Sequence, residues 1–311
     1  MPAELVPVTV VIPTRDRAAA LRRSLESLAQ QSVQPAEVSI VDASANGMTR
    51  SLCEEESISL LRSTISWRSA NSSGAASQRN QGVRSCSQPV VGFMDDDILF
   101  EPECFARLWR ALHSDGRIGG ANAMIVNQRY ESPGRISRFV FSLMDDDRGE
   151  SYAGRVLGPA VNLLPEDRED LPEVVPVEWL NTTCTLYRRE ALPDPPFLDY
   201  FTGYSLMEDL TLSLTVGKCW KLANARTARI YHDSQPGTHK FDPEHIAEMH
   251  LINRHFVMTK VLGRSRFSDY LKLLVFESFS LVSTLPAGRR VFGPNLCGKA
   301  RACWRIMTSE R

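Results

Sequence analysis

Three consecutive aspartates, Asp95, Asp96 and Asp97, come directly after the apolar run at 89–94. Carboxylates this close together repel one another unless a cation is present, and hard oxygen ligands suit Mg²⁺ or Mn²⁺. Because Mg²⁺ usually binds through one or two carboxylates together with substrate phosphates, the triplet predicts a divalent metal that holds a diphosphate. The alternative is a solvated turn or a cluster of charge at a helix N-terminus.

A second aspartate triplet, at 145–147, differs from the first in its surroundings. It follows residues 139–144 in a stretch without clean periodicity, and it continues into Arg148, Gly149 and Glu150. We therefore predict that this triplet belongs to a solvated loop.

An Arg-Asn pair, Arg79 and Asn80, follows the small residues that begin at Gly74 on a predicted helix. Small residues allow close backbone approach, and arginine offers a planar fork of donors to a phosphate or a base edge. The alternative is an exposed arginine on a surface helix.

An acidic pair, Glu208 and Asp209, opens another predicted helix after the aromatic-rich stretch 197–204. Aromatic rings beside a carboxylate offer a platform for a sugar, and they desolvate the carboxylate and so raise its pKa towards the range of a general base. The alternatives are a charge that favours the helix N-terminus and aromatic residues that belong to the core.

The elements that must position these residues alternate between strand and helix. Apolar runs predict strands at 8–12, 38–41, 58–61 and 89–94. Helical patterns lie after them, from Asp16 as a predicted N-cap, at 47–56, at 75–86 and from Pro102. This alternation predicts an α/β fold with a doubly wound, mostly parallel sheet. Ligands of such sheets bind beyond the carboxyl ends of the strands, where the polar residues of this chain lie.

The second half of the chain is less regular. A strand is predicted at 123–126, loops with a short helix at 127–175, strand character at 177–187, a helix at 206–216 and a short strand at 228–231 that ends at His232. From about 244 the pattern is helical and basic.

Composition excludes several classes of protein. The 311 residues are 43% hydrophobic and 23% charged with a net charge of -1, which is unlike collagen, mucins, disordered chains and uniformly basic nucleic-acid binders. We therefore expect no nucleic-acid partner. The charge is uneven, because residues 245–311 hold 11 Lys and Arg against 4 Asp and Glu.

Several features predict a cytoplasmic location. The seven cysteines are odd in number and form no CxxC pair, which favours a reducing compartment and cysteines that serve as core thiols. The first residues lack the pattern of a secretory signal. The apolar stretch 271–285 is shorter than the roughly 20 residues that cross a bilayer, so it is expected at most to lie on a membrane.

The order of these motifs resembles family 2 of the inverting nucleotide-sugar glycosyltransferases, which have the Rossmann-like GT-A fold. The resemblance covers about residues 6–260, and its motifs are Val11–Arg17, Val41–Ser44, Gly74–Gly82, Phe93–Asp97, Trp179, Tyr187–Glu190, Glu208–Leu210 and Tyr231–His232.

The resemblance implies a role for each matching residue. Pro13, Thr14 and Arg17, with Arg15 in the same motif, would line the nucleotide, and Asp42 would accept a hydrogen bond from a base such as uracil. Arg79, with Asn80 beside it, would contact the base or diphosphate, and Asp96 would contact the ribose, with Asp95 supporting the cluster. Asp97 and His232 would bind the metal, and Asp209, paired with Glu208, would be the general base. A lone histidine after a strand is otherwise more often structural.

Two departures from the family pattern matter. Residues 181–184, Asn-Thr-Thr-Cys, replace a small, glycine-containing acceptor strand. Leu210, Thr211 and Leu212 replace an Asp-Val-Asp ending, which leaves one fewer carboxylate and favours Asp209 over Glu208 as the base.

The resemblance implies a GT-A domain at 1–244 and a basic helical extension at 245–311. The expected activity is Mn²⁺- or Mg²⁺-dependent inverting transfer from a nucleoside-diphosphate sugar, a UDP-sugar first among them, to a saccharide or lipid-linked acceptor in surface polysaccharide or glycolipid assembly. The extension either docks on anionic lipid at the inner face of the cytoplasmic membrane or forms a helical cap with a solvated basic face. The alternatives are a nucleotidyltransferase, although Thr14–Arg17 lacks the expected glycine, and a non-catalytic nucleotide-sugar-binding protein.

Overall fold

The structure is a computed structural model that describes residues 3–54, 61–144, 151–202, 205–234 and 242–309. The chain divides into two compact units: unit 1 comprises Met1–Tyr130 and Leu164–Gln235, and unit 2 comprises Glu131–Leu163 and Pro236–Arg311. Most of the strand predicted at 58–61, the second aspartate triplet and the end of the aromatic stretch, at 203–204, lie outside the described residues. The domain limits predicted at 244 and 245 stay a prediction.

Strands and helices alternate as the sequence predicts. The strands are β1 (Glu4–Thr14), β2 (Val33–Asp42), β3 (Thr64–Ser69), β4 (Val90–Met94), β5 (Ile98–Phe100), β6 (Ile118–Ile125), β7 (Val156–Leu157), β8 (Val161–Asn162), β9 (Val174–Val177), β10 (Cys184–Arg188) and β11 (Lys221–His232). The helices are α1 (Ala18–Ala29), α2 (Met48–Glu54), α3 (Ala75–Val83), α4 (Cys104–His113), α5 (Arg135–Met144), α6 (Glu208–Val216), α7 (Pro243–Phe256), α8 (Phe267–Val282) and α9 (Arg289–Ser309).

Unit 1 is built on one sheet, and its described strands follow the order β3-β2-β1-β4-β10-β6-β11-β5, with β9 also paired to β11. Strands β1, β2, β3, β4, β6 and β11 point in one direction, and β5, β9 and β10 run antiparallel to their neighbours. The predicted α/β fold with a mostly parallel sheet is confirmed.

The central strand β1 is apolar on both faces because both faces are covered. Val8, Val10 and Ile12 are buried on one face, where Leu21 and Leu25 of α1 pack into the same core, and Val11 is buried on the other face. A parallel strand that is buried on two sides has a continuous apolar sequence, which is the pattern that predicted this strand.

The predicted N-cap of α1 is wrong by one residue. Asp16 lies in the left-handed region with φ at +56°, and Arg17 precedes the first helical residue, Ala18. The Asp16 amide donates to Ser44 Oγ at 2.7 Å, so this position joins the ends of β1 and β2 instead of capping the helix.

Long-range pairing shifts several other limits. The strand predicted from 228 begins at Lys221, because β11 pairs with β6 along most of its length. The strand character at 177–187 divides into β9, which pairs with β11, and β10, which pairs with β4 and β6.

Helix α3 lies so close to β1 that only glycine fits at position 82. A Cβ atom at Gly82 would collide with Val11 Cγ1, and Val11 is fully buried in the sheet. We expect Gly82→Ala to lower the free energy of unfolding by about 1–3 kcal/mol through overpacking. Gly116→Ala is the matched control, because a Cβ at Gly116 has nothing within 4 Å. Equal urea-unfolding midpoints for the two variants would contradict the close approach.

Unit 2 contains α5, the β7–β8 hairpin, α7, α8 and α9, with a π-helical turn at Val257–Val261 after α7. Val140 and Met144 of α5 pack against Phe276 and Phe279 of α8. Within the described residues, no helix combines the length and the apolar character that a membrane span requires. The expectation of core thiols fails for three cysteines: Cys219 is exposed in the turn between α6 and β11, and Cys297 and Cys303 are exposed on α9.

Candidate active site

Polar residues from the ends of β1 and β4 meet at the carboxyl edge of the sheet. Thr14 Oγ1 donates to Asp96 Oδ2 at 2.6 Å, and Arg17 Nη1 lies 3.3 Å from both Asp96 Oδ1 and Asp97 Oδ2. The chain continues from β1 to β2 on one side, while β4 pairs with β1 on the other. This is a switch point in strand order, where open α/β sheets bind their ligands.

Asp95, Asp97 and His232 form a cluster that fits a divalent metal. One ligand atom from each of the three residues lies within 4.8 Å of the others, and His232 Nε2 is 3.1 Å from Asp97 Oδ1. Carboxylate oxygens suit Mg²⁺ and Mn²⁺, and imidazole suits transition metals, so the mixed donor set fits Mn²⁺.

Strand pairing explains how His232 reaches Asp97, which precedes it by 135 positions. His232 is the last residue of β11 and pairs with Ile98 of β5, directly after the aspartate triplet. The amide of Asp233 also donates to the carbonyl of Asp97 at 2.8 Å. The antiparallel pairing of β11 with β5 therefore fixes the histidine beside the first aspartate triplet.

Asp96 is held differently from its two neighbours. Its side chain is buried, which raises its pKa to about 6, and the charge of Asp97 adds to this rise. The hydrogen bond from Thr14 and the charge of Arg17 act in the opposite direction. Asp96 is therefore bound to β1 and the loop after it.

Arg79 joins the aspartate triplet to the acidic pair. Its Nη2 donates to Asp95 Oδ1 at 2.7 Å, its Nη1 donates to Glu208 Oε1, and its guanidinium carbon lies 5.7 Å from the centre of the Phe197 ring. Arg79 is only 4% exposed. The structure thus gives both terminal nitrogens protein partners, and the predicted contact with the nucleotide stays a prediction.

The acidic pair begins α6 after an unusual backbone path. Ser205 and Met207 lie in the left-handed region with φ at +55° and +70°. A residue with a Cβ in this region costs of order 1–3 kcal/mol, so the surrounding structure must hold it there. These residues turn Glu208 into the interior and leave Asp209 half-buried.

Burial shifts the pKa of both acids upward. It raises the pKa of Asp209 to about 6, against a 2.7 Å hydrogen bond from the Leu210 amide to Oδ1. It also raises the pKa of Glu208 to about 8, with the Arg79 guanidinium opposing the rise. Both pKa values are therefore raised, as expected for a general base in a buried environment. Of the two carboxylates, Glu208 is the one that has an arginine bound to it among the described residues.

The remaining predicted nucleotide residues have protein partners at the same edge. Asn80 exchanges hydrogen bonds of 2.7 and 3.0 Å with the backbone of Phe197. Asp42 accepts from Trp67 Nε1 at 3.1 Å, and the exposed Arg15 donates to Ser73 Oγ at 3.1 Å. Pro13, on β1, is half-buried. Their roles towards a nucleotide stay predictions.

Sequence reasoning missed three residues that hold the site together. Gln78 Nε2 donates to the carbonyls of Thr14 and Val41, at 3.0 and 2.7 Å, and so joins the ends of β1 and β2. The side-chain amide of Asn127 bonds both the N–H and the C=O of His232, at 3.0 and 2.9 Å. The Gln128 side-chain nitrogen lies 3.0 Å from His232 Nδ1.

A sequence signal for two of these residues existed. Asn127 and Gln128 come just after β6, at the same carboxyl edge as the other site residues. The rule that directed attention to the ends of strands therefore applies to them as well.

Comparison with solved structures shows which fold this is. The fold is similar to that of GT-A glycosyltransferases. One of them is a mannosyltransferase from Pyrobaculum calidifontis that was solved with GDP-Man and Mn²⁺. It aligns with a TM-score of 0.58 and 16% identity over 97% of this chain and 88% of its own. GalNAc-T7, solved with UDP, GalNAc and Mn²⁺, aligns with a TM-score of 0.53 and 15% identity over 73% of this chain and 44% of its own. TarS from S. aureus aligns with a TM-score of 0.52 and 16% identity over 90% of this chain and 44% of its own.

The family follows from the sequence itself. The family model for Glycosyl transferase family 2 matches residues 9–193, more than half of the chain, and the chain therefore belongs to this family. An uncharacterized glycosyltransferase from Haemophilus influenzae (strain ATCC 51907 / DSM 11121 / KW20 / Rd) is 31% identical over 111 residues, which cover 36% of each protein. The match thus spans about a third of that curated relative. The predicted family is confirmed.

Proposed function

We propose that this glycosyltransferase is a divalent-metal-dependent, inverting enzyme that takes a sugar from a nucleoside-diphosphate sugar, a UDP-sugar first among them. The observation that carries the proposal is the cluster of Asp95, Asp97 and His232 at the switch point of the sheet. The solved neighbours that contain Mn²⁺ with GDP-Man, or with UDP, support it.

The donor would bind beyond the carboxyl ends of β1, β2 and β4. Asp95, Asp97 and His232 would hold the Mn²⁺ or Mg²⁺, which supplies charge neutralisation for a departing diphosphate. Thr14 and Arg17 hold the buried Asp96 beside that position, so the carboxylate that we propose for the ribose would be oriented before the donor arrives.

Asp209 is the residue we propose as general base. Glu208 is buried and bound by Arg79, whereas Asp209 is half-buried and accepts a hydrogen bond from the Leu210 amide at Oδ1. A base must reach the proton that it removes, and a pKa near the working pH favours proton transfer. Asp209 would accept the proton of the acceptor hydroxyl as that oxygen attacks the anomeric carbon from the face opposite the diphosphate.

The acceptor is proposed on coarser grounds. A hydroxyl of a saccharide or of a lipid-linked acceptor fits the chemistry of the base, and the assembly of surface polysaccharide or glycolipid at the cytoplasmic side of a membrane fits the family resemblance. Membership of the family favours this enzyme over the nucleotidyltransferase and the non-catalytic binding protein.

Incubation with a panel of UDP- and GDP-sugars tests the proposal. With Mn²⁺ present, we expect slow hydrolysis of one donor without an acceptor and faster transfer when hydroxyl acceptors are added. NMR of the first-formed product should show an inverted anomeric configuration. Retention of configuration, or equal rates after EDTA treatment, would contradict the proposed mechanism.

The amide of Gln128 gives a prediction about metal affinity. Groups that hold the second nitrogen of a metal-binding histidine fix the ring, and their loss commonly weakens metal binding by roughly 10–100-fold. We expect a loss of this size for Gln128→Ala when Mn²⁺ binding is measured by titration calorimetry without any sugar substrate. Asn295→Ala is the control, because the Asn295 side chain donates to the carbonyl of Val291 in its own helix, α9. Equal affinities for the two variants would exclude a positioning role for Gln128.

A further inference from the structure

Helix α8 of unit 2 presents an apolar stripe to solvent. Phe267, Leu271, Leu274 and Val282 lie on one face of the helix, and their exposed fractions run from 50% for Leu271 to 85% for Phe267. Residues at this spacing share a helix face, and sixteen residues of α-helix extend about 24 Å. The stripe continues into the next turn with Leu285, which is 51% exposed.

The stripe is separate from the core of unit 2. Leu273 is buried, and Phe276 and Phe279 pack against α5. Glu277, on the same inner side, is buried and paired with Arg254 and Lys299. Packing of α8 therefore already uses its other faces, so the fold does not need the stripe.

Cations lie at both ends of the stripe. Arg266 precedes α8, and Arg289 and Arg290 follow the turn after it; all three are exposed, and none has an ion pair among the described residues. Of the two acids of α8, Glu277 is buried and paired with Arg254 and Lys299, so only the charge of Asp269 stands against the three arginines. The apolar stripe is therefore bordered by positive charge.

Helix α5 repeats this pattern within unit 2. Ile136, Phe139 and Leu143 are exposed at helical spacing, and Arg135 and Arg138 are exposed beside them. An exposed apolar stripe with basic neighbours is the character of a helix that lies in the interface of an anionic bilayer. Two helices that pack on each other show it.

We propose that α8 docks on an anionic lipid surface, with Phe267, Leu271 and Leu274 at the boundary between headgroups and acyl chains and with Arg266, Arg289 and Arg290 against the phosphates. A second copy of the chain is a poorer partner for this face, because two such stripes in contact would bring the same cations together. Anionic lipid instead provides charge of the opposite sign over the whole stripe. Sugar transfer is not part of this argument.

Flotation of the full chain with two kinds of vesicle tests the docking. One kind is phosphatidylcholine alone, and the other contains about 30 mol% phosphatidylglycerol to give a negative surface potential. We expect the protein to partition roughly tenfold or more in favour of the anionic vesicles, with a steep loss in high salt because the Debye length shortens. Equal partitioning onto both vesicles, or none onto either, would overturn the proposal.

Substitutions in the apolar stripe of α8 test whether this stripe is the surface that contacts lipid. The triple variant Phe267→Ser, Leu271→Ser and Leu274→Ser should lose roughly tenfold or more of the vesicle-bound fraction, since it removes most of the buried apolar area. Met48→Ser, at an exposed apolar position in unit 1, should not. Because the stripe is exposed, unfolding curves should match the wild type. Undiminished flotation of the triple variant, or a wild-type dimer that this variant dissociates without any vesicle binding, would contradict the assignment.

A variant that removes positive charge separates the insertion of apolar side chains into the bilayer from the electrostatic attraction to anionic lipid. Arg289→Gln with Arg290→Gln should reduce binding to anionic vesicles and flatten its salt dependence, and Arg84→Gln, an exposed arginine of unit 1, should leave both unchanged. Both readouts are made without donor or acceptor, so they stand even where the proposed sugar transfer fails. An unchanged salt dependence in the double variant would refute the role of these arginines.

Discussion

Asp97→Asn is expected to weaken Mn²⁺-dependent binding of the sugar donor by at least about 100-fold, since a bound metal contributes several kcal/mol and each 1.4 kcal/mol is a factor of ten. The substitution keeps the shape of a buried side chain but removes the charge that faces His232 Nε2 and Arg17 Nη1. Of the three groups in the cluster, Asp95 and His232 would remain. Titration calorimetry with donor, in the presence and absence of Mn²⁺, measures the effect.

The control for this prediction is a carboxylate that also binds cations but lies elsewhere in unit 1. Asp115 pairs with Arg117 and Lys221, before the first residue of β6, so Asp115→Asn should leave the Mn²⁺ dependence intact. The residual binding without metal should be similar in the wild type and in Asp97→Asn. Donor affinity that responds to Mn²⁺ as strongly in Asp97→Asn as in the wild type would remove Asp97 from the metal site.

The part of the site formed by the residues after β1 and β4 is well predicted from the sequence, because these two strands are easy to recognise. Thr14 and the first aspartate triplet come directly after buried apolar runs, and parallel strands place their carboxyl ends at one edge. The contact between Thr14 and Asp96 is therefore a consequence of strand order. Local patterns suffice here because each strand is buried on both faces.

The positions of His232 and Arg79 depend on contacts between residues that are distant along the chain, and the periodicity of the sequence does not reveal such contacts. His232 reaches Asp97 because β11 pairs with β5, and only the family resemblance predicted it as a ligand. Arg79 looks from its sequence like a ligand-binding group on a surface helix, yet it is buried between Asp95 and Glu208. The partner of a long side chain is set by tertiary structure, so its role could not be read from spacing alone.

Asp209→Asn is expected to reduce kcat by roughly 10²–10⁴-fold, the usual contribution of a positioned general base. Donor binding in the presence of Mn²⁺ should be nearly unchanged, because the side chains of Asp95, Asp97 and His232 are retained. This combination is the opposite of that expected for Asp97→Asn, so the two variants separate proton transfer from donor binding. Asp170→Asn, at an exposed carboxylate of unit 1, is the control and should retain full activity.

The pH dependence provides an independent check on Asp209. Burial raises its pKa to about 6, and a base acts only when it is deprotonated, so wild-type kcat at saturating donor should rise with pH up to about 6 and then level off. Asparagine cannot titrate, and the acid limb of the kcat profile should therefore disappear in Asp209→Asn. Glu208→Gln should keep that limb, because Glu208 is bound by Arg79 and is not the proposed proton acceptor. If the limb persists in Asp209→Asn and disappears in Glu208→Gln, the base is Glu208, and the guanidinium of Arg79 must then move away before the proton is transferred.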